Sequence, residues 1–464
     1  MKTKFCYLFI ALSLFAEASW TSAQVTFAPA VTNAVGHNPE SFTVADVNGD
    51  GKMDLVCGNA GDSPYTNGTL SILTNNGSGG FVLASTLSIG HGPGSITAAD
   101  VNRDGKVDLI TANWDNGIGG TLSVWTNNGN GVFGSNATLN VGSGPVSVTA
   151  ADVNGDGRLD LICVNYGATG NGKTLSVLTN NGSGVFGSNA TLNVGTGPMS
   201  VIAADINGDG RPDLICANYG NNTLTVLTNN GGGVFGSNAT LNVGTGPFSV
   251  TAADINGDGK LDLICANFGN GFGNTLSVLT NNGNGVFGSN ATLNVGSGPS
   301  SVVAADVNGD GRLDLICANE SANTLTVLTN NGFGGFSLAA TLGTGVSSMG
   351  MPSSVVAVDV NGDGKLDLTC VNKGANTVAV LINTTVYPSP ASTPPLSINF
   401  QGNAMRVSWP SASAGWSLQQ NPDLKTENWG PSGYSGYGIA DDGTNKSLTM
   451  PPQLGNLFFR LLHP

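Results

Sequence analysis

The sequence predicts an all-β chain: a seven-bladed β-propeller of four-stranded blades, followed by a small β-sandwich. Three observations carry this expectation. Short runs rich in Val, Leu, Ile and Thr alternate with Asn-Gly and Gly-Gly turns, and no long segment shows helical periodicity. A unit that opens on Asp46, Asp100, Asp152, Asp205, Asp254, Asp306 and Asp359 recurs every 49 to 54 residues, a period typical of propellers and solenoids. Each unit carries four strand-like runs in the same order, which is the content of one blade.

The elements follow in chain order. Residues 1–23 have Lys2 and Lys4, an apolar run from Phe5 to Ala16, and Thr21-Ser22-Ala23. This is the pattern of a secretory signal peptide cleaved after Ala23, with an apolar run too short to span a bilayer. The mature chain is therefore expected to be secreted or held at the cell surface, with no transmembrane segment. Residues 24–383 hold the repeats. In each, a Pro-x-Ser turn leads into a short apolar strand (PSSVVAAD), then an acidic loop, a second strand (LDLICAN), a third (NTLTVLTNNG) and a fourth that starts at a Phe-Gly pair (VFGSNATLNVG). The seventh unit stops after its third strand, at NTVAVLINTTV, while FAPAVTNAVG near the start has the form of the missing fourth. Residues 25–36 are thus expected to complete the last blade, which joins the chain ends and leaves no open sheet edge. TTVYPSPASTPP, residues 384–395, reads as a Pro/Ser/Thr linker. Residues 396–464 lose most of the glycine and read as a small β-sandwich with Trp409, Trp416 and Trp429 in its core.

Each acidic loop places Asp at positions 1, 5 and 9, Asn at 3 and Gly at 6, which permits a sharp turn. Calcium takes six to eight oxygen ligands, and such a loop offers alternate side chains plus the backbone carbonyl of position 7. The candidate ligands are Asp46, Asn48, Asp50 and Asp54 in the first copy, and Asp100, Asn102, Asp104 and Asp108 in the second. The third holds Asp152, Asn154, Asp156 and Asp160, and the fourth Asp205, Asn207, Asp209 and Asp213. Asp254, Asn256, Asp258 and Asp262 follow in the fifth, Asp306, Asn308, Asp310 and Asp314 in the sixth, and Asp359, Asn361, Asp363 and Asp367 in the seventh. The expected cofactor is Ca²⁺, about seven ions with one per blade. An EF-hand is excluded: position 12 is Cys, or Thr111 in the second copy, where a bidentate Glu belongs, and strands flank the loop. A metal-free Asn/Asp/Gly turn remains the alternative, but three carboxylates within nine residues repel one another unless a cation sits among them.

These repeats resemble the FG-GAP/VCBS units of calcium-bearing β-propellers, the class that includes the integrin α-subunit head and many secreted bacterial proteins. The resemblance rests on D-x-N-x-D-G-x-x-D in every copy and Phe-Gly in four, over roughly residues 25–383. It implies that the calcium loops join first and second strands on one face and that ligands are taken on the opposite face. The second copy departs from the pattern, with Arg103 at position 4 where the others have Gly. The C-terminal segment resembles β-modules appended to secreted bacterial proteins.

The loops contribute 21 of the 30 acidic residues. Without residues 1–23 the formal charge is −15, and seven divalent ions would bring it to about −1. The acidity is local, and an acidic chain of this kind is repelled by nucleic acid. Cys57, Cys163, Cys216, Cys265, Cys317 and Cys370 hold one position on successive second strands. Face-packed sheets lie about 10 Å apart, whereas a disulfide needs Cα atoms within about 7 Å, so free buried thiols are expected; pairing between adjacent blades is the alternative.

No Ser/His/Asp arrangement, histidine metal cluster or phosphate-cradling glycine loop is present in the repeats. The residue after the last Asn of the second strand is more informative, because there the copies diverge: Ala60, Trp114, Tyr166, Tyr219, Phe268, Glu320 and Lys373. Trp114, Tyr166, Tyr219 and Phe268, with His37 and His91 from the loops between blades, form the candidate ligand surface; the alternative is that these rings only cover blade edges. The sequence thus points to a secreted, monomeric, calcium-stabilised propeller that binds an extracellular carbohydrate or protein without catalysis. A carbohydrate-active enzyme or lectin on the same scaffold is the runner-up, and a purely structural matrix component the third possibility.

Overall fold

The structure is a computed structural model that describes residues 24–62, 67–90, 92–117, 119–346 and 349–387, and, further on, 396–401, 404–410, 417–421, 430–431, 439–441, 444–450 and 458–462. The proposed signal peptide, His91, Trp416 and Trp429 lie outside the described residues. Two compact units divide at Val386/Tyr387. Among the described residues no helix is long and apolar enough to cross a membrane.

Residues Gln24–Val386 form repeated four-stranded antiparallel sheets. The first comprises Pro39–Ala45, Asp54–Asn59, Thr69–Asn75 and Phe81–Ser88 in that order. Five further sheets repeat this order, with inner strands Pro93–Ala99, Pro145–Ala151, Pro198–Ala204, Pro247–Ala253 and Pro299–Ala305. The last contains Pro352–Val358, Asp367–Asn372 and Thr377–Leu381, and its outer strand is Val31–Ala34 from the other end of the chain. That strand pairs in register from Val31 opposite Val380 to Ala34 opposite Thr377.

Burial follows strand order and explains the sequence pattern. The second strand of every repeat is buried along its whole length, as in DLICVN of Asp160–Asn165, because its neighbours in the sheet flank it and adjacent sheets cover both faces. A strand covered on both sides reads as a continuous apolar run rather than an alternating one. The fourth strands, such as Phe133–Asn140, expose most of their side chains and are correspondingly Ser-, Asn- and Thr-rich.

The core is divided into clusters that each join two consecutive sheets. One holds Ile110, Leu122, Val148, Leu161 and Cys163 from the second and third sheets. Another holds Phe42, Leu55, Cys57, Val360, Val371 and Val378, so the seventh sheet packs on the first. The same seam carries a hydrogen bond from the Asn38 N–H to Asn376 Oδ1 at 2.8 Å and an ion pair of Lys373 Nζ with Glu40 at 2.8 Å. The six strand cysteines are free and buried in these clusters. Burial drives every thiol pKa up, Cys370 to about 12, so they act as small apolar side chains rather than nucleophiles. Thr111 takes the cysteine position in the second repeat and satisfies its buried hydroxyl by donating to Asn113 Oδ1 at 3.1 Å.

The described residues of the C-terminal unit form two sheets. One orders Ser397–Gln401, Ala404–Pro410, Asn445–Met450 and Ala440–Asp441; the other orders Gly430–Pro431, Ser417–Asn421 and Phe458–Leu462. Met405, Val407, Trp409, Leu418, Leu448 and Phe459 from both sheets share one apolar cluster, with Trp409 fully buried.

Candidate functional site

Two sets of loops leave opposite ends of each second strand. The acidic loops precede it and the variable loops follow it, so the two candidate sites lie at opposite ends of the sheets.

In the acidic loop the backbone winds around the first carboxylate. Asp46 Oδ1 accepts the N–H groups of Gly49 and Asp50 at 2.7 and 3.2 Å, and its Oδ2 accepts that of Gly51 at 2.8 Å. Asn48 Oδ1 accepts the N–H of Asp50, and Asp50 Oδ1 that of Lys52. The aspartate at position 9 is fully buried and has a different part. Asp54 accepts the N–H of Val47 with one oxygen and that of Asn75 with the other, at 3.2 and 2.8 Å, which ties the loop to the end of the third strand. All seven copies repeat this pair of bonds.

A residue the sequence reading passed over completes the network. Asn75, Asn127, Asn180, Asn229, Asn281 and Asn330 end third strands, Asn383 lies two residues beyond the last, and each sends its Nδ2 across to the neighbouring sheet. Asn127 reaches the Val47 carbonyl at 2.9 Å, Asn180 reaches Val101 at 2.7 Å, and Asn75 crosses the seam to Val360 at 2.9 Å. The carbonyl engaged is that of loop position 2, whose N–H is already held by the buried Asp. Each acidic loop is therefore clasped by the next sheet, around all seven junctions. The signal was available as the first Asn of the repeated Thr-Asn-Asn-Gly, but it reads as turn chemistry.

Burial raises the pKa of Asp54, and of its equivalents Asp108, Asp160, Asp213, Asp262, Asp314 and Asp367, and the nearby carboxylates at positions 5 and 1 push it further. A part of the charge at position 5 is met within the chain, since position 7 is always basic. Lys52 Nζ lies 3.6 Å from Asp50 Oδ2, and Arg211 Nη1 lies 3.5 Å from Asp209 Oδ2. Among the described residues no three His, Cys, Asp or Glu side chains are arranged as a metal group. The loops offer a mixed set of carboxylate, amide and carbonyl oxygens with no nitrogen or sulfur ligand. That donor chemistry and the mutual repulsion of the carboxylates fit a hard divalent cation.

Arg103 keeps the loop of the second repeat in the common form, its N–H donating to Asp100 Oδ1 at 2.7 Å. It does so at a φ of 63°, where the other copies place Gly, as Gly49 does at 78°. A side chain in that region costs about 1 kcal/mol or more. Arg103→Gly should therefore stabilise the protein by about 1 kcal/mol, read as a higher urea midpoint at unchanged slope.

On the opposite face the register of every repeat skips one residue of the inner strand, between Pro39 and Ser41, Pro145 and Ser147, Pro247 and Ser249, and so on. The x residue of Pro-x-Ser is a bulge, which re-aims its side chain. These residues meet those that follow the second strands around a cavity of about 250 Å³, lined by Glu40, Gly94, Trp114, Val146, Tyr166, Met199, Phe248, Glu320, Ser353 and Lys373. Gly94 leaves room at this rim: a Cβ there would lie 3.2 Å from both Trp114 Cβ and Val146 Cα, closer than ordinary contact.

Of the candidate ligand residues, Trp114 and Tyr166 line this cavity. Tyr219 and Phe268 stand behind Phe248 instead. Their ring centroids lie 6.5 and 5.1 Å from that of Phe248, and the Tyr219 hydroxyl donates to Asn270. His37 does not line it; it is exposed and lies 3.3 Å from Asp62. Glu40, Val146, Met199 and Phe248 were not anticipated; their signal was the variability of x in Pro-x-Ser. Glu320 and Lys373 stand where repeats two to five carry rings. Burial raises the pKa of Glu320, Lys373 opposes that shift, and Glu40 adds to it.

The FG-GAP-like repeat family matches the sequence six times in overlapping stretches, residues 46–111, 100–163, 155–216, 205–265, 254–317 and 306–370. No curated protein matches the chain. Solved structures with a similar fold include a protein from Lactobacillus plantarum, 15% identical, covering 68% of this chain and 86% of its own, with a TM-score of 0.52. Virginiamycin B lyase from Staphylococcus aureus is 14% identical over 77% of this chain and 99% of its own, also at 0.52. A chain of the complex of BBS1N with ARL6DN is 12% identical over 80% of this chain and 100% of its own, at 0.53. At these identities the likeness is one of fold.

Proposed function

The chain belongs to the FG-GAP-like repeat family, and from that premise we propose that it is a secreted, calcium-stabilised propeller that binds an extracellular carbohydrate or protein at the axial cavity, without catalysis. The observation that carries this reading is where the copies differ. The strands and acidic loops are nearly identical from repeat to repeat, whereas the bulged x residues and those after the second strands diverge, and ten of these side chains and backbones surround one cavity. Half-exposed Trp and Tyr beside charged groups suit a sugar ring or a protein anchor.

The acidic loops carry the other half of the proposal. Asp, Asn and Asp at positions 1, 3 and 5, with Asp at position 9, would hold the ion, which would neutralise the crowded carboxylates. Position 9 also keeps the loop attached to the third strand. Export is supported by the signal-like pattern of residues 1–23.

A glycan array and a polysaccharide turnover screen, both in calcium, test the reading together. Trp114→Ala with Tyr166→Ala should weaken capture of whatever the array identifies about 100-fold or more while shifting the melting temperature by only a few degrees. Binding that survives the double substitution would refute the site, and turnover of any polysaccharide would refute the absence of catalysis.

A further inference from the structure

The axial cavity is not uniform around its rim. Repeats two to five supply Trp114, Val146, Tyr166, Met199 and Phe248, an apolar and aromatic arc. Repeats six, seven and one supply Glu320, Lys373 and Glu40. Lys373 Nζ lies 2.8 Å from each oxygen of Glu40, so that lysine and that carboxylate neutralise each other across the seam. Their side chains are 30% and 18% exposed, which places the pair at the cavity wall rather than in open solvent. What remains is the half-buried carboxyl of Glu320, which Lys373 compensates in part; with Glu40 it leaves the three groups one negative charge in excess, in the cavity that the rings also line.

We infer that the axial cavity selects a ligand group bearing an ammonium ion, which pairs with Glu320 while its carbon body lies against Trp114 and Tyr166. This deepens the function proposed above and rests on it. The geometry favours a cation over the alternatives. An anion would meet a net negative wall, and the one lysine able to greet it is already held by both oxygens of Glu40. A neutral sugar could cover the rings and donate hydroxyls to Glu320 but would leave its desolvated charge uncancelled, a cost that a cation removes. Cations are also attracted to the faces of Trp and Tyr, most strongly where water is excluded. The raised pKa of Glu320 agrees with a carboxyl that lacks sufficient compensation in the ligand-free protein. An ammonium group of this kind can come from a quaternary amine, an amino sugar or a lysine side chain, and the cavity volume of about 250 Å³ admits only such a group rather than a folded domain.

Calorimetric titration of the full chain in calcium, with paired probes, tests this. Choline is paired with 3,3-dimethylbutanol, glucosamine with glucose, and Nα-acetyl-lysine methyl ester with its Nε-acetyl derivative. At least one charged member should bind about tenfold or more tightly than its neutral isostere, and which pair does so identifies the source. Glu320→Gln should abolish that preference, while Trp114→Ala should weaken both members. Equal affinities within every pair, or a preference that persists in a folded Glu320→Gln protein, would overturn the inference. No binding by any probe would overturn it too, yet a positive glycan array would leave the broader function standing. If Glu320→Gln does not fold, the paired affinities of the unsubstituted protein decide alone.

Discussion

Stripping divalent cations with EDTA should lower the melting temperature of the repeat unit by on the order of ten degrees, and returning calcium at about 10 mM should restore it. The expectation is additive over the loops. Extracellular calcium modules bind at about 10⁻⁴ to 10⁻³ M. At the weaker limit, 10 mM calcium stabilises by roughly 1.4 kcal/mol per site, and seven sites together by about 10 kcal/mol. For a unit of this size that corresponds to a shift of roughly 13 °C. The loops respond strongly because each brings three carboxylates together, and the buried one, such as Asp160, has its pKa raised by burial and then by Asp156 and Asp152. Differential scanning calorimetry with magnesium as the control ion measures it. An identical melt with and without EDTA would exclude calcium as a stabilising ligand at these loops.

The second large effect separates the structural carboxylate from the exposed ones. Asp160→Ala should destabilise the protein by about 2–5 kcal/mol even in EDTA. Its oxygens accept the N–H groups of Val153 and Asn180 at 3.2 and 2.8 Å, and both donors would be left buried and unpaired. Asp156→Ala removes a carboxylate that is about one-third exposed and only 3.7 Å from Arg158, so in EDTA it should change stability by well under 1 kcal/mol. In calcium each should lose roughly a further 1.4 kcal/mol, because either removes a proposed ligand, so the gap between them should persist. Urea denaturation of both variants in each condition gives four values. An Asp160→Ala protein as stable as the parent in EDTA would mean that position 9 serves the ion alone.

The repeat was readable because it is local. The Asp46 series, the buried second strands with their unpaired cysteines, and the completion of the seventh sheet by Val31–Ala34 all follow from order along the chain and from what a sheet edge requires. The side chains that join one sheet to the next were not readable. Asn180 meets its partner carbonyl at Val101, 79 residues away, and nothing in Thr-Asn-Asn-Gly distinguishes a clasp from a turn. The bulge at Pro-x-Ser was hidden for a related reason. A one-residue slip in register shows only when both strands are in place, so Phe248 and Glu40 looked like ordinary strand residues. Nor does the sequence show that Tyr219 and Phe268 stand in a second layer, which depends on Phe248 filling the space between them.

The way the last sheet is assembled also sets how the repeat unit would respond to force. Its outer strand comes from one end of the chain and its third strand from the other, and the two run antiparallel. Thr26 bonds to Thr384 and Thr385 where both ends leave the sheet, so the first and last bonds of that pair are loaded unequally by a pull on the two ends. Tension between the ends would open the pair like a zipper, one bond at a time from Thr26 toward Ala34, at low force. A protein tethered through residues beyond Val386 and pulled by a captured ligand would instead transmit load through the interior strands, bypassing its weakest line.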